Sequence, residues 1–307
     1  MILVVGASGR LGGTIARHLL SRGERVRVLT RTPAKLEHLK APGAEVVGGD
    51  LRVPASLSNA CQGVEQVITT AHAGEGKGTN VSRSVDEAGN RHLIDAAKAA
   101  GVRHFVFIST HSAQPDSPVD LLRFKYQTEV YLRACDMPFT ILRPTHLMDS
   151  WVDLLGQSIL KKQEATIFGR GTNPVSFVAI DDVARLAALV LEQPEARNWT
   201  VEIGGPENLT LHQVVEAFER ALHLRVKVRH LSVPMLRTIQ LLMRPFNPVL
   251  SRQLGMAILL DTGKQSCDMT ETLKLFPLQL MRLEEFIQMR YASSALQQPA
   301  VPEEEYP

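Results

Sequence analysis

A chain of 307 residues can bury a sizeable core and suits one large α/β domain, or a large domain with a smaller one attached. Its 44% hydrophobic and 21% charged residues match the globular average, which excludes global disorder and fibrous repeats. The 34 basic and 32 acidic side chains leave a net charge of +2, which argues against a nucleic-acid partner.

The cysteines and the first residues of the chain indicate a reducing compartment. Cys61, Cys135 and Cys267 are far apart and form no CxxC pair, so we expect neither a disulfide framework nor a metal site. Met1 leads directly into a short apolar run without a basic region before it, so we expect no secretory signal and a cytoplasmic protein. The apolar stretch 233–260 is broken by prolines and arginines, which argues against a transmembrane span and leaves peripheral membrane contact as an alternative.

The first half of the chain alternates short apolar runs with amphipathic segments. Strands are predicted over residues 2–5, 25–29, 45–47, 66–69, 104–108 and 139–142. Helical patterns between them cover residues 14–20, 85–100 and 121–135, and each stops where Gly23, Gly101 or Pro138 can end a helix. Because strands joined by crossover helices pair in parallel, we predict an α/β fold with a doubly wound parallel sheet.

After Pro144 the pattern changes to loops, longer helices and fewer strands, the latter at residues 175–178, 200–203 and 226–228. We expect a Rossmann domain over residues 1–145, with returns to it from about residues 175–203, and a smaller C-terminal α+β substrate or partner lobe over residues 146–292. Asp181 and Asp182 precede an apolar helical pattern and predict a capped scaffold helix. Residues 293–307 lack periodicity and predict a disordered tail.

Three glycines follow the first predicted strand and open the first predicted helix. A glycine allows a sharp turn there and lets backbone N–H groups approach a pyrophosphate at the helix N-terminus, where the partial positive charge lies. The run therefore predicts a dinucleotide site, with a tight turn that binds nothing as the alternative. The expected contacts are Gly6, Ser8, Gly9, Arg10, Leu11 and Gly12.

The end of the second strand bears on the choice of dinucleotide. NAD-specific enzymes commonly place an acid there to accept hydrogen bonds from the ribose hydroxyls, but this strand ends at Thr30-Arg31. Arg31, with Arg10 and Lys35, could instead pair with the 2′-phosphate of NADP. NADP(H) is thus the preferred cofactor, and NAD(H) is the alternative if Arg31 is only a solvated loop residue.

The spacing GxxGxxG, together with Asp50-Leu51 after the third strand, resembles the extended and atypical short-chain dehydrogenase/reductase superfamily. The resemblance implies that Asp50 and Leu51 border the adenine; from the residues alone, Asp50 could equally cap the helix near Pro54. It also implies that polar strand ends face the nicotinamide cleft. We therefore expect further cofactor contacts from Thr69, Ser109, Lys125 and Pro144.

Short-chain reductases usually place a tyrosine four residues before a lysine, but Leu121 stands four residues before Lys125. Tyr126 lies roughly 100° around the helix from Lys125 and cannot take that place. The candidate catalytic residues are Lys125, which either binds the nicotinamide ribose or titrates if burial lowers its pKa, and His111 as a proton relay. The alternatives are a surface ion pair between Lys125 and Glu129, and a solvated His111.

A closer resemblance covers about residues 1–290: the chain is similar to the NmrA-like group of atypical short-chain enzymes. This group includes NAD(P)H-dependent quinone reductases and redox sensors. The run Lys125-Tyr126-Gln127-Thr128-Glu129 and the C-terminal lobe are especially similar to its photosystem II assembly-factor branch. The other segments that carry the resemblance are residues 5–12, 49–51, 139–144 and 180–184.

The resemblance implies an NADPH-dependent reductase of a quinone or conjugated carbonyl, because water or a loop group can protonate such an acceptor without the tyrosine. The alternative is a non-catalytic NADP(H)-binding redox sensor or assembly factor with a protein partner. A nucleotide-sugar epimerase is disfavoured, since epimerases depend on the Tyr-Lys pair. Monomer and homodimer are both compatible with the sequence.

Overall fold

The computed structural model describes residues 1–73 and 81–295. The strands in this part of the chain are β1 (Ile2–Val5), β2 (Val26–Thr30), β3 (Glu45–Gly48), β4 (Gln66–Thr69), β5 (His104–Ile108), β6 (Phe139–Pro144), β7 (His146–Leu147), β8 (Glu164–Phe168), β9 (Val175–Val178), β10 (Trp199–Ile203), β11 (Asn208–Leu209) and β12 (Lys227–Leu231). Its helices are α1 (Arg10–Ser21), α2 (Pro54–Cys61), α3 (Asn90–Ala99), α4 (Asp120–Ala134), α5 (Met148–Lys162), α6 (Ile180–Glu192), α7 (Leu211–Leu222), α8 (Val233–Met243), α9 (Pro248–Thr262), α10 (Thr270–Leu275) and α11 (Leu283–Ala295).

Seven strands form one parallel sheet in the order β3-β2-β1-β4-β5-β6-β10. From β1 the chain winds outward to β3 on one side, then returns to β4 on the other side of β1. In such sheets ligands bind outside the carboxyl ends of the strands at the point where the winding reverses. The predicted doubly wound α/β Rossmann sheet is confirmed, and its switch point lies between β1 and β4.

The central strands are buried along their whole length because helices cover both faces of the sheet. Every residue of β1 and of β5 is buried, as expected of parallel strands that read as continuous apolar runs. One face packs against α1 and α6, through side chains such as Leu19 and Val183, and the other against α2 and α3, through Leu57 and Leu93. This packing fixes the strand ends that build the site.

A smaller lobe follows β6 and has its own apolar core. It contains the two-stranded sheet β8-β12 and the three-stranded sheet β7-β9-β11. Helices α5, α7 and α11 close its core around Phe218, Phe286 and Tyr291. In the part of the chain that the structure describes, no helix is long and apolar enough to cross a bilayer.

Three local expectations differ from the structure. The helix predicted from residue 85 opens with a π-helical segment, Arg83–Gly89, and α3 follows it. Neither Asp181 nor Asp182 caps α6, whose N-cap is Ala179; both lie in its first turn, and Asp182 instead accepts a hydrogen bond from the Met281 backbone N–H at 2.9 Å. Residues 293–295, assigned to the tail, are helical in α11, and residues 296–307 lie outside the described residues.

Candidate functional site

The glycine loop between β1 and α1 owes its glycines to two different causes. Gly6 has a φ of +91°, and a Cβ on Gly12 would lie 2.4 Å from the Gly6 carbonyl oxygen, so both positions need glycine for the fold itself. A Cβ on Gly9 would meet only that same oxygen, at 3.3 Å. The protein's own packing therefore explains Gly6 and Gly12 far better than it explains Gly9.

The N-terminus of α1 faces a large cavity, and no side chain caps its first backbone N–H groups. The helix has no side-chain cap and no acidic residue in its first turn. Its first N–H groups have no intrahelical acceptor, and the helix dipole adds a partial positive charge. The loop therefore offers a cradle for an anionic group, and a Cβ on Gly9 would enter it.

The cavity has a volume of about 560 Å³ and runs along the carboxyl ends of the central strands. Such a volume is typical of small-molecule and cofactor sites. Nearly all the predicted cofactor contacts line it, together with the candidate catalytic His111. These lining residues are Gly6, Ser8, Gly9, Arg10, Leu11, Gly12, Arg31, Asp50, Leu51, Ser109, Lys125 and Pro144.

Thr69 is the exception among the predicted contacts, because it does not line the cavity. Its side chain is fully buried and donates a hydrogen bond to Asn90 Oδ1 at 3.1 Å. Thr70, one residue beyond the strand, lines the cavity instead and lies against the glycine loop, with Oγ1 3.2 Å from the Val5 carbonyl oxygen. Thr69 thus links β4 to α3 behind the cavity wall.

At the end of the cavity that Arg31 and Asp50 line, an ion pair orients the acid. Asp50 accepts hydrogen bonds from the backbone and side chain of Arg52 at 2.9–3.1 Å, and the Arg52 side chain holds the pKa of Asp50 below its usual value. Asp50 does not cap α2, because the N-cap is Val53. The carboxylate is therefore held ionised beside the cavity.

Arg10 is less available to a ligand than its place in the glycine loop suggests. Its guanidinium pairs with Asp149 and Asp153 of α5, each at 3.0 Å, and ties the two lobes together. Lys35 lines a separate depression beside the loop and does not line the main cavity. Of the three cations considered for a 2′-phosphate, Arg31 is therefore the one best placed by the geometry.

Lys125 lies at the inner wall of the cavity and is only 6% exposed. Its Nζ donates to the Ile108 carbonyl oxygen at 2.9 Å and lies 4.7 Å from the centre of the Phe107 ring. Burial lowers the pKa of Lys125, while the nearby carboxylates of Asp86 and Glu129 oppose that shift. The alternative of a surface ion pair with Glu129 does not hold, because both side chains are buried.

Glu129 is instead the centre of a buried network that the sequence did not reveal. Its carboxylate accepts hydrogen bonds from Arg143 at 2.7 and 2.9 Å, from Arg133 at 3.0 Å and from the Ser109 hydroxyl. Ser109 is only 6% exposed, so its hydroxyl is occupied beneath the cavity floor. The network joins α4 to the ends of β5 and β6, which carry the inner half of the site.

His111 forms the other polar corner of the cavity. Its Nδ1 lies 3.2 Å from Glu202 Oε1, and the neighbouring imidazole lowers the pKa of Glu202. The ligand atoms of His111, Glu202 and Cys267 lie within 4.8 Å of one another. Burial raises the pKa of the Cys267 thiol to about 11, so the free thiol is protonated at neutral pH.

One wall of the inner cavity is apolar. Leu121, Trp151 and Met256 line it from three different helices, and Leu121 occupies the place expected for a tyrosine. Met148, at the start of α5, packs in the lobe core, and Leu154 of the same helix is exposed. The arrangement can hold a flat apolar molecule next to the imidazole of His111.

Comparisons with known proteins agree with this geometry. A model of the NmrA-like family matches residues 1–287. The photosystem II assembly factor Ycf39 of Trieres chinensis is 26% identical over 93% of this chain and 91% of that protein. An NAD(P)H azoreductase of Xenophilus azovorans is 32% identical over 72% of this chain and 73% of that protein. The fold is similar to that of the NADPH-dependent quinone oxidoreductase QOR2 of Escherichia coli, solved with NADPH, with a TM-score of 0.79, 22% identity and coverage of 94% and 99%.

Proposed function

The chain belongs to the NmrA-like family, and from that membership we propose that it binds NADP(H) and reduces a quinone or conjugated carbonyl. One observation carries this proposal. A single cavity joins the uncapped N-terminus of α1, the strand-end Arg31 and an apolar inner chamber that contains Lys125 and His111. It thus offers an anion cradle, a cation for a second phosphate and room for an apolar acceptor.

The residues present fit NADP(H) from one end of the cavity to the other. The glycine loop would receive the pyrophosphate, because the first N–H groups of α1 lack intrahelical acceptors and the space beside Gly9 is open on all sides but that of the Gly6 carbonyl oxygen. Arg31 would bind the 2′-phosphate, and Leu51 would border the adenine. Lys125 would donate a hydrogen bond to the nicotinamide ribose. NAD(H) remains the alternative cofactor.

The inner chamber supplies what an acceptor needs. Bound NADPH would provide the hydride for reduction. Leu121, Trp151 and Met256 would hold the apolar ring and exclude water from most of its surface. His111, oriented by Glu202, would donate a proton to the developing oxyanion and recover it from solvent. The absent tyrosine is thereby replaced by a different donor.

A second function is favoured by a specific observation at the same site. Leu121 lines the cavity where a phenolic donor would stand, and the relative from Trieres chinensis is an assembly factor. Under this alternative the protein binds NADP(H) without turnover and passes the state of the cofactor to a protein partner. Reciprocal coupling between partner and cofactor affinities would then be required.

The glycine loop gives a prediction that separates ligand binding from folding. We expect Gly9→Ala to lower the free energy of unfolding of the free protein by no more than about 1 kcal/mol, as alanine does at an N-cap, but to abolish the stabilisation by NADPH. In the matched control, Gly12→Ala, the new Cβ would collide with the Gly6 carbonyl, which costs about 1–3 kcal/mol even without ligand. Urea unfolding with and without NADPH measures both. Unchanged NADPH binding by Gly9→Ala would contradict the cradle.

The reductase proposal is tested by NADPH consumption with quinones, enones and azo dyes, followed by absorbance. We expect turnover with at least one class, and we expect Lys125→Met to weaken NADPH binding by about tenfold or more, because a charged hydrogen bond is lost. Lys98→Met, at an exposed lysine of α3, is the control. Tight NADPH binding with no turnover across the panel would favour the sensing or assembly alternative.

A further inference from the structure

The segment from α8 to the start of α9 carries an unusual amount of exposed apolar surface. Leu241 is 68% exposed, Leu242 60%, Phe246 83% and Met235 50%. These four residues, called here the tip surface, lie within twelve residues of one another on α8 and the turn that follows it. A soluble surface scatters single apolar residues, whereas a cluster of large ones marks an interaction site.

Helix α8 is attached to the rest of the protein through the side opposite its exposed residues. The opposite side of α8 faces the protein through Leu236, which is buried, and Gln240. Gln240 and Ser251 of α9 exchange two hydrogen bonds of 3.2 Å, from the Gln240 side chain to the Ser251 carbonyl and from the Ser251 hydroxyl to the Gln240 carbonyl. The exposed residues are therefore presented on a fixed helical pair.

The chain segment that carries the tip surface has charges of a single sign. The sequence contains no acidic residue between Glu219 and Asp261. Arg237 and Arg244 are exposed, and neither forms an ion pair with a described residue. Arg237, Leu241 and Arg244 are spaced i, i+4 and i+7, so both cations lie beside Leu241 on one helix face.

We propose that the tip surface docks on an anionic lipid membrane, with α8 lying in the interface. Large apolar residues flanked by arginines, without acids, are typical of helices that insert their apolar side chains to headgroup depth. An anionic surface attracts each nearby arginine, and Leu241, Leu242 and Phe246 leave water on contact. Because the whole chain has a net charge of only +2, attraction to an anionic surface would depend on local positive charge such as that of this segment.

This docking would place the cavity next to the membrane. Met256 of α9 lines the cavity, and Arg252 of the same helix pairs with Asp120, the first residue of α4, at 2.9 Å. The helical pair that carries the tip surface thus also forms a wall of the inner chamber. Docking does not depend on the proposed reductase function, because it requires only the exposed residues and their charge.

The test is cosedimentation of the full-length protein with vesicles of phosphatidylcholine alone or of phosphatidylcholine containing phosphatidylglycerol. We expect binding to the anionic vesicles that weakens with salt. Leu241→Ser/Leu242→Ser/Phe246→Ser should reduce the partition coefficient by more than about tenfold, because most of the inserted apolar area is removed. Arg237→Gln/Arg244→Gln should reduce it by about fivefold per arginine.

Two control variants distinguish binding through the tip surface from nonspecific adsorption to vesicles. Val130→Ser/Leu154→Ser/Met289→Ser removes exposed apolar residues elsewhere, and Lys161→Gln/Lys162→Gln removes exposed charges of α5; both should bind as the unmodified protein does. Docking is overturned if no vesicle binds, if neutral and anionic vesicles bind equally, or if the triple tip variant binds normally. It is also overturned if the tip variant abolishes only a concentration-dependent dimer, since the surface would then belong to a second copy of the chain.

Discussion

Replacing Glu129 with alanine is expected to lower the free energy of unfolding by about 3–5 kcal/mol, because breaking a buried ion pair leaves its partners uncompensated. The Glu129 side chain is fully buried and serves Arg143, Arg133 and Ser109 at once. The Arg143 side chain is itself only 18% exposed, so water cannot fully replace the carboxylate. Urea unfolding measures the loss.

A matched control distinguishes this network from ordinary surface charge. Glu271 of α10 also pairs with a cation, Lys274, but its side chain is 82% exposed. Glu271→Ala should change the free energy of unfolding by less than about 1 kcal/mol. If Glu129→Ala cost no more than this control, the network would not hold β5 and β6 in place.

The second large effect is a loss of stability in mild acid. His104 and His146 are buried, and burial lowers the pKa of each imidazole to about 4. His104 Nε2 lies 2.8 Å from Thr140 Oγ1, while His146 stands edge-on to Trp151 and Phe177. No carboxylate acts on the pKa of either histidine to stabilise a protonated imidazole. Both histidines are therefore neutral in the folded protein at neutral pH.

The sign follows from proton uptake. In the unfolded chain each histidine binds a proton below about pH 6.5, whereas in the folded protein it does so only near pH 4. Between these values the unfolded state holds more protons, so stability falls as pH falls. Each histidine should remove about 2 kcal/mol between pH 7 and pH 5.

Urea unfolding at a series of pH values tests this expectation. His104→Gln should flatten the decline by about 2 kcal/mol, because it removes one titrating group. His38→Gln, at an exposed position, should leave the decline unchanged. Equal slopes for His104→Gln and the unmodified protein would show that His104 does not titrate as burial requires.

Much of the fold was predictable because its signals are local. The β1 run and the glycines after it lie within twelve residues, and Gly6, Gly9 and Gly12 each reach the cavity as predicted. The parallel sheet follows from strands that alternate with crossover helices. Strand β8 was not predicted, because it is not continuously apolar. It is stabilised by pairing with β12, which lies about 60 residues further along the chain.

The inner site was harder to predict, because its contacts join distant parts of the chain. Lys125 and Glu129 have the spacing of a surface pair, and only the position of Arg143 on β6 makes Glu129 a buried hub. His111 and Glu202 meet through the strand order of the sheet. Thr69 and Thr70 differ by one residue, and the strand register decides which of them reaches the cavity.

The central claim, that the cavity binds NADP(H), is tested most directly by unfolding the protein with NADPH, NADP⁺, NADH or no ligand. A ligand at about 100 times its dissociation constant should add roughly 2.7 kcal/mol to the free energy of unfolding. We expect that stabilisation from NADPH or NADP⁺, and a smaller one from NADH because it lacks the phosphate that Arg31 would bind. Equal unfolding curves with and without all three dinucleotides would contradict the claim.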